Sequence, residues 1–203
     1  GTTGKPKGIM LSHGNLIANM KTLVNAWGFT SQDCLLHALP IFHVHGLFVA
    51  LGCVMMSGAS MEWLPKFDVN EVVECLPRCS VMMGVPTYYT RLLGTNAFNK
   101  RSARSVRVFI SGSAPLLEET FLAFKARCGH DILERYGMTE TNMNSSNPLN
   151  GVRKPGTVGP ALPNVDVRVV DDQGLPLPSG ETGNLQIKGP NVFQGYWRLP
   201  DKT

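Results

Sequence analysis

Over its first two-thirds the chain alternates between short apolar runs and helical apolar stripes, and this alternation limits its fold more than any other feature. Residues 12–27 place Leu16, Ile17, Met20, Leu23, Val24 and Trp27 at i, i+3/i+4, i+7 spacing behind Ser12, a helix with its N-cap. The apolar run 34–39, ended by Pro40, reads as a buried strand. A buried helix follows at 45–57, stopped by Gly58. The pattern repeats with strand 60–64, helix 69–76 before Pro77, strand 80–83, helix 87–93, strand 106–110, helix 116–128 before Gly129, and an extended segment 132–135. Strands separated by helices form a parallel sheet covered on both faces, so the expected class is α/β with a mostly parallel sheet.

The character changes near residue 155. Gly156, Gly159, Pro160 and Pro163 punctuate a loop, Val165, Val167 and Val169 alternate as in a half-buried strand, and 184–188 reads as another strand. The expected organisation is an α/β unit at 1–155 and the start of a β-rich unit at 156–203.

Composition narrows the class. Charged residues are 17% of the 203, below the roughly 25% usual for soluble domains. Much of the chain is therefore interior, which excludes intrinsic disorder. A net charge of +4 without a long like-charge run gives no reason to expect a nucleic-acid partner; Lys100, Arg101, Arg104 and Arg107 read as a solvated stretch. Five cysteines in mostly apolar contexts read as buried thiols in a reducing compartment, the cytoplasm or, as the alternative, mitochondria. The apolar run 47–56 is too short for a membrane span.

The chain opens Gly1-Thr2-Thr3-Gly4-Lys5-Pro6-Lys7-Gly8. Glycines let backbone N–H groups converge on an anion, and hydroxyls and lysines add donors and charge. It is not a Walker loop: the second glycine would have to stand where Pro6 or Ile9 stands. Taken alone, the octet is open to both a phosphate loop and a flexible surface turn. A phosphate loop ordinarily follows a buried strand, and the chain begins inside the loop and ends at Thr203 without a closing element, so an internal piece of a longer protein is expected.

Thr2-Thr3-Gly4-Lys5-Pro6-Lys7-Gly8 resembles the T-T-G-x-P-K-G signature of the adenylate-forming superfamily of acyl-CoA synthetases, luciferases and peptide-synthetase adenylation domains. Tyr136-Gly137-Met138-Thr139-Glu140 is similar to that family's Y-G-x-T-E motif. Gly180-Glu181-Thr182-Gly183, Gly189-Pro190 and Gly195-Tyr196-Trp197 resemble its G-E-x-G, G-P and G-Y elements. The three matches fall in the family's order along nearly the whole chain. The resemblance implies a partial N-terminal domain of an enzyme that activates a carboxylic acid with ATP and Mg²⁺ and transfers the acyl group to coenzyme A.

By the same resemblance, Thr2, Thr3, Gly4 and Lys7 would cradle the β- and γ-phosphates. Thr139 would donate to the α-phosphate and Glu140 would hold Mg²⁺. Tyr136 would stack on adenine opposite Gly112, Ser113 and Ala114, with Glu134, Arg135 and Gly137 in the nucleotide site. His43, after Pro40-Ile41-Phe42, matches a histidine at the acyl pocket beside the reacting carboxylate. Singly, Glu140 could be a surface carboxylate, Tyr136 a half-buried core ring and His43 a structural imidazole; the motifs as units favour the functional reading. His45 could simply cap or pack.

Segments 40–48, 81–91, 110–116 and 137–143 look narrower still, like the malonate–CoA ligase branch of that family. A dicarboxylate needs a cation for its distal charge, since an unpaired buried charge is prohibitive. Arg91, one helical turn after Pro86-Thr87, is the expected partner, with Tyr88 on the same wall, Ser113 as a donor and Met138 limiting depth; Arg107 is the reserve. An exposed helix arginine is an equal reading of Arg91. Malonate and methylmalonate head the substrates, against another short, fatty or aryl acid, or a non-catalytic AMP-binding module. The family's ribose-binding aspartate, hinge and C-terminal lysine domain have no match here, so these 203 residues alone are expected to be inactive.

Overall fold

A computed structural model describes residues 6–203. The opening helix, α1 (His13–Ala26), has a complete capping box: Asn15 N–H donates to the Ser12 hydroxyl at 3.1 Å, and Ser12 N–H donates to the Asn15 carboxamide at 2.9 Å. There follow β1 (Cys34–His37), a π-helical turn (His45–Ala50) running into α2 (Leu51–Ser57), β2 (Ser60–Trp63), α3 (Val69–Cys75), β3 (Val81–Gly84), α4 (Pro86–Leu93), β4 (Val108–Ser111), α5 (Glu118–Cys128) and β5 (Leu133–Met138). Left-handed Gly58 and Gly129 end α2 and α5, a conformation glycine adopts without a Cβ penalty.

The strands form one sheet in the order β2-β1-β3-β4-β5, all parallel, with antiparallel β6 (Asn142–Ser146) on the edge beyond β5. The α/β expectation holds. β6 is the departure from it: Asn142-Met143-Asn144-Ser145-Ser146 has little strand propensity and shows no alternation. It is a buried strand because most of its polar groups find partners, the Ser145 hydroxyl having none among the described residues. Asn19 brackets Met143, accepting from its N–H and donating to its C=O, while Trp27 Nε1–H donates to the Ser146 hydroxyl.

Two apolar layers cover the sheet. One holds Phe98, Phe109, Phe124 and Tyr89 in edge-on and tilted contacts; the other holds Leu23, Trp27, Leu35, Val81, Met83 and Ile110. Beyond β6, β7 (Asp166–Val170) and β8 (Asn184–Lys188) pair antiparallel as a separate two-stranded sheet. Residues 189–197 then return to α1, where Asn15 donates to the carbonyls of Pro190 and Val192. Among the described residues no helix is long and apolar enough to cross a membrane.

Candidate functional site

Parallel strands end on the same side, so the loops after β1, β4 and β5 gather along one edge. The chain runs from β1 outward to β2 and then back across to β3, a reversal of the kind beside which open α/β sheets place ligands. Two cavities lie here. The larger, about 580 Å³, is lined by Lys7, His43, His45, Ser113, Arg135, Met138, Thr139, Glu140 and Tyr196, among others. The second, about 440 Å³, is lined by Ser111, Ser113, Ala114, Glu134, Arg135, Tyr136, Gly137 and Gly156. Ser113, Arg135 and Gly137 border both, so the two compartments adjoin.

Arg135 dominates the electrostatics. It is 3% exposed, and its Nε and Nη2 have no hydrogen-bond partner among the described residues. Burial pulls its pKa down to about 10, which still leaves it cationic at neutral pH. A Cβ at Gly112 would overlap its guanidinium, so glycine there is what admits the arginine. His45 is buried beside it, with Nδ1 3.2 Å from the Ser113 hydroxyl and Nε2 without a partner among the described residues. Burial, reinforced by the Arg135 charge, holds His45 well below the usual histidine range, so the ring is neutral. Ser113 itself sits at φ +70°, uncommon for a non-glycine residue and a mark of a constrained loop.

Glu134, the strand neighbour of Arg135, is also buried. Its Oε1 accepts from Gly156 N–H at 3.3 Å, and burial raises its pKa above the ordinary carboxylate value. Tyr136 is half-buried on the rim of the same compartment. On the other side of Arg135, Thr139 is exposed and Glu140 half-buried in the wall of the larger cavity. Tyr196 Oη donates to Glu140 Oε1 at 2.8 Å, and Lys7 Nζ lies 4.4 Å from the Tyr196 ring centroid. Thr2, Thr3 and Gly4 lie outside the described residues.

The structure thus gathers His43, Lys7, Ser113, Ala114, Glu134, Arg135, Tyr136, Gly137, Met138, Thr139 and Glu140 around two adjoining cavities. It does not bring Arg91 there. Arg91 is exposed on α4 with its guanidinium 4.8 Å from the Phe67 centroid, and Phe67 in turn stacks on Tyr88. Tyr88 spends its hydroxyl on the Ala38 carbonyl. Nor is Arg107 free: its Nε and Nη2 grip both Asp33 oxygens at 2.8 and 3.0 Å, and it also donates to the carbonyls of Trp27 and Gly28. Arg107 is exposed, as its place in the basic stretch suggests, but its charge is already paired. The arginine that does line both cavities is Arg135 on β5, where it continues the apolar run Ile132-Leu133.

The profile of the AMP-binding enzyme family matches residues 1–197. The chain belongs to that family. It is 40% identical to the malonate–CoA ligase of Arabidopsis thaliana over its whole length, covering 36% of that protein. Among solved structures, ATP-bound MatB from Rhodopseudomonas palustris superposes with a TM-score of 0.99 at 56% identity, covering all of this chain and 41% of that one. A malonyl-CoA ligase in a ternary product complex with methylmalonyl-CoA and AMP superposes with a TM-score of 0.90 at 37% identity, 99% of this chain against 44% of that one. The family member described here therefore spans about two-fifths of the length of these relatives, and the near-coincidence with MatB places its sheet and loops as the N-terminal part of adenylate-forming enzymes does.

Proposed function

We propose that the protein to which this chain belongs is an AMP-forming acid–thiol ligase that activates malonate, and methylmalonate beside it, with ATP and transfers the acyl group to coenzyme A. The observation that carries the substrate is Arg135: a buried, unpartnered guanidinium facing a cavity asks for an anion. A monocarboxylate spends its only charge at the reacting phosphorus; a dicarboxylate has a second to give Arg135. The names of the relatives point the same way.

In this reading the smaller compartment takes adenine. Tyr136 stacks on the base opposite Gly112, Ser113 and Ala114, and Glu134 accepts from its exocyclic amine. Thr139 donates to the α-phosphate, while Thr2, Thr3, Gly4 and Lys7 hold the β- and γ-phosphates. His43, at the exposed mouth, and the Ser113 hydroxyl flank the substrate carboxylate, and Met138 bounds its depth. Neutral His45 keeps Ser113 in place without adding charge beside Arg135.

Among the described residues no three metal-ligating side chains converge. The single carboxylate of Glu140 fits Mg²⁺, which characteristically combines one or two carboxylates with phosphate oxygens and water. Bound there, the ion would neutralise charge building on the leaving pyrophosphate. With the distal carboxylate on Arg135, an oxygen of the other carboxylate, flanked by His43 and Ser113, attacks the α-phosphorus in line as the bond to the β-phosphate oxygen breaks. The thiol of coenzyme A, losing its proton, next attacks the acyl carbon of the acyl-adenylate and AMP leaves. Positioning and charge neutralisation carry most of such a step.

The same reading divides the chain into a nucleotide- and acyl-binding unit, 1–155, and a β-rich unit, 156–203, supported by the two separate sheets. Free thiols at all five cysteines suit a reducing compartment, the cytoplasm first and mitochondria second.

The test is ATP–pyrophosphate exchange by the full-length protein with malonate, methylmalonate, acetate and a long-chain acid. Malonate and methylmalonate should lead. Removing Arg135 as Arg135→Ala should lower kcat/KM for malonate by roughly 10²–10³, the scale of breaking a buried charge pair. Equal turnover of acetate and malonate by the unaltered enzyme would overturn the assignment.

A further inference from the structure

Tyr196 has no part in the scheme above, yet it touches two of the groups the scheme uses. Its Oη–H donates to Glu140 Oε1 at 2.8 Å, and Lys7 Nζ donates to the same Oη at 3.4 Å while lying 4.4 Å from the ring centroid. A phenol has one proton to give and two lone pairs to receive with. Here the proton goes to the carboxylate and a lone pair takes the ammonium, so one side chain fixes an anion and a cation that are far apart in sequence.

Backbone contacts hold the hydroxyl in that place. Trp197 N–H donates to Gly8 C=O, Met10 N–H to Gly195 C=O, and Gln194 N–H to Met10 C=O, so the segment is stitched to the chain just after the glycine-rich loop. Phe193 N–H donates to the Glu140 carbonyl at 2.8 Å, and the Phe193 ring packs edge-on against Tyr196 at 4.9 Å. Gly195 stands at φ +133°, outside the range of side-chain-bearing residues, and Thr203 Oγ1 accepts from Tyr196 N–H at 2.9 Å. With Oε1 occupied by the phenol, the other Glu140 oxygen has no hydrogen bond among the described residues and is left for a ligand.

We propose that Tyr196 is a positioning residue: it orients the Glu140 carboxylate toward Mg²⁺ and sets Lys7 against the phosphates, coupling the glycine-rich loop to the metal ligand. This rests on the assignment of Glu140 and Lys7 above. Outer partners of a metal-binding carboxylate characteristically change affinity by 10–100-fold when removed.

The experiment is calorimetric titration of the full-length protein with ATP over a range of Mg²⁺ concentrations, for the unaltered protein, Tyr196→Phe, Glu140→Gln and the double variant. Tyr196→Phe keeps the ring and its packing, and should raise the Mg²⁺ needed for half-maximal ATP binding about tenfold. ATP binding without Mg²⁺ should change much less, because the ring stays beneath Lys7 and only its 3.4 Å hydrogen bond to Oη is lost, and the KM for malonate should stay as it was. In the Glu140→Gln background the same change should add little, because the carboxylate through which Tyr196 acts is gone. Tyr196→Leu, which also removes the ring from beneath Lys7, should weaken ATP binding even at saturating Mg²⁺. An unchanged Mg²⁺ requirement in Tyr196→Phe, or an equal effect with and without Glu140, overturns the role of Tyr196 while leaving the ligase assignment standing. Failure of the unaltered protein to bind ATP with Mg²⁺ overturns both.

Discussion

Residues of one type do opposite work in this molecule according to what surrounds them. Arg107 and Arg135 both start from the same flexible, permanently charged side chain. Arg107 ends on a paired carboxylate and two carbonyls, a staple between strand β4 and the loop after α1. Arg135 Nε and Nη2 find no partner among the described residues, and in the proposed function an anionic ligand supplies it. Arg107→Ala should therefore destabilise the fold by about 2–3 kcal/mol, the scale of hydrogen bonds to charged groups, with substrate selectivity intact; denaturant unfolding measures the first and exchange kinetics the second. Asp33 adds a pH signature. Burial pushes its carboxyl up, but hydrogen bonds from Arg107, Ser80 and Thr30 N–H outweigh that and leave it below the ordinary carboxylate value. Because the folded pKa is the lower one, its contribution is complete above the unfolded value and is lost as pH falls through the folded value. The acid limb of a stability–pH curve should be shallower in Arg107→Ala than in the unaltered protein. Gly112→Ala is the complementary change at the site: the added methyl displaces the Arg135 guanidinium, and malonate KM should rise while melting shifts little if the arginine swings into the cavity.

At the level of elements, ends were more legible than edges. Ser12 announces the start of α1 three residues before Asn15, and the pair closes a capping box in the structure; Ser12→Ala should cost about 1 kcal/mol by chemical denaturation. Glycines 58 and 129 mark the stops of α2 and α5 as the sequence suggests. These are local signals, and local backbone geometry makes them reliable. β6 has no such signal. Its asparagines and serines become strand because Asn19, Trp27 and Asn191 supply partners from elements up to 124 positions away. The π turn at His45–Ala50 is likewise silent in the sequence, where its apolar run reads as ordinary helix, and it opens directly beside the cavity, where such irregular turns commonly occur.

Across the whole molecule, the segment 189–197 ties the β-rich part to the edge that carries the two cavities. Asn191 is its buried anchor, donating to the Thr141 carbonyl at 2.6 Å and to Asn144 Oδ1 at 3.1 Å. Asn191→Ala leaves those acceptors unpaired in the interior and should cost about 1–3 kcal/mol; hydrogen exchange should show the loss concentrated in 189–197 and 141–144. What the sequence determined by itself is what depends on neighbours in the chain: the strand–helix alternation, hence a parallel sheet buried on both faces; the caps and stops; and the three motifs whose order marks the family. What only the tertiary structure decided is which charge is satisfied and which is left over. Arg91, Arg107 and Arg135 are indistinguishable as residues, because pairing and burial are set by groups that folding brings from elsewhere. A site is built from the unmet valences of the folded chain, and those exist only once every other partner has been found.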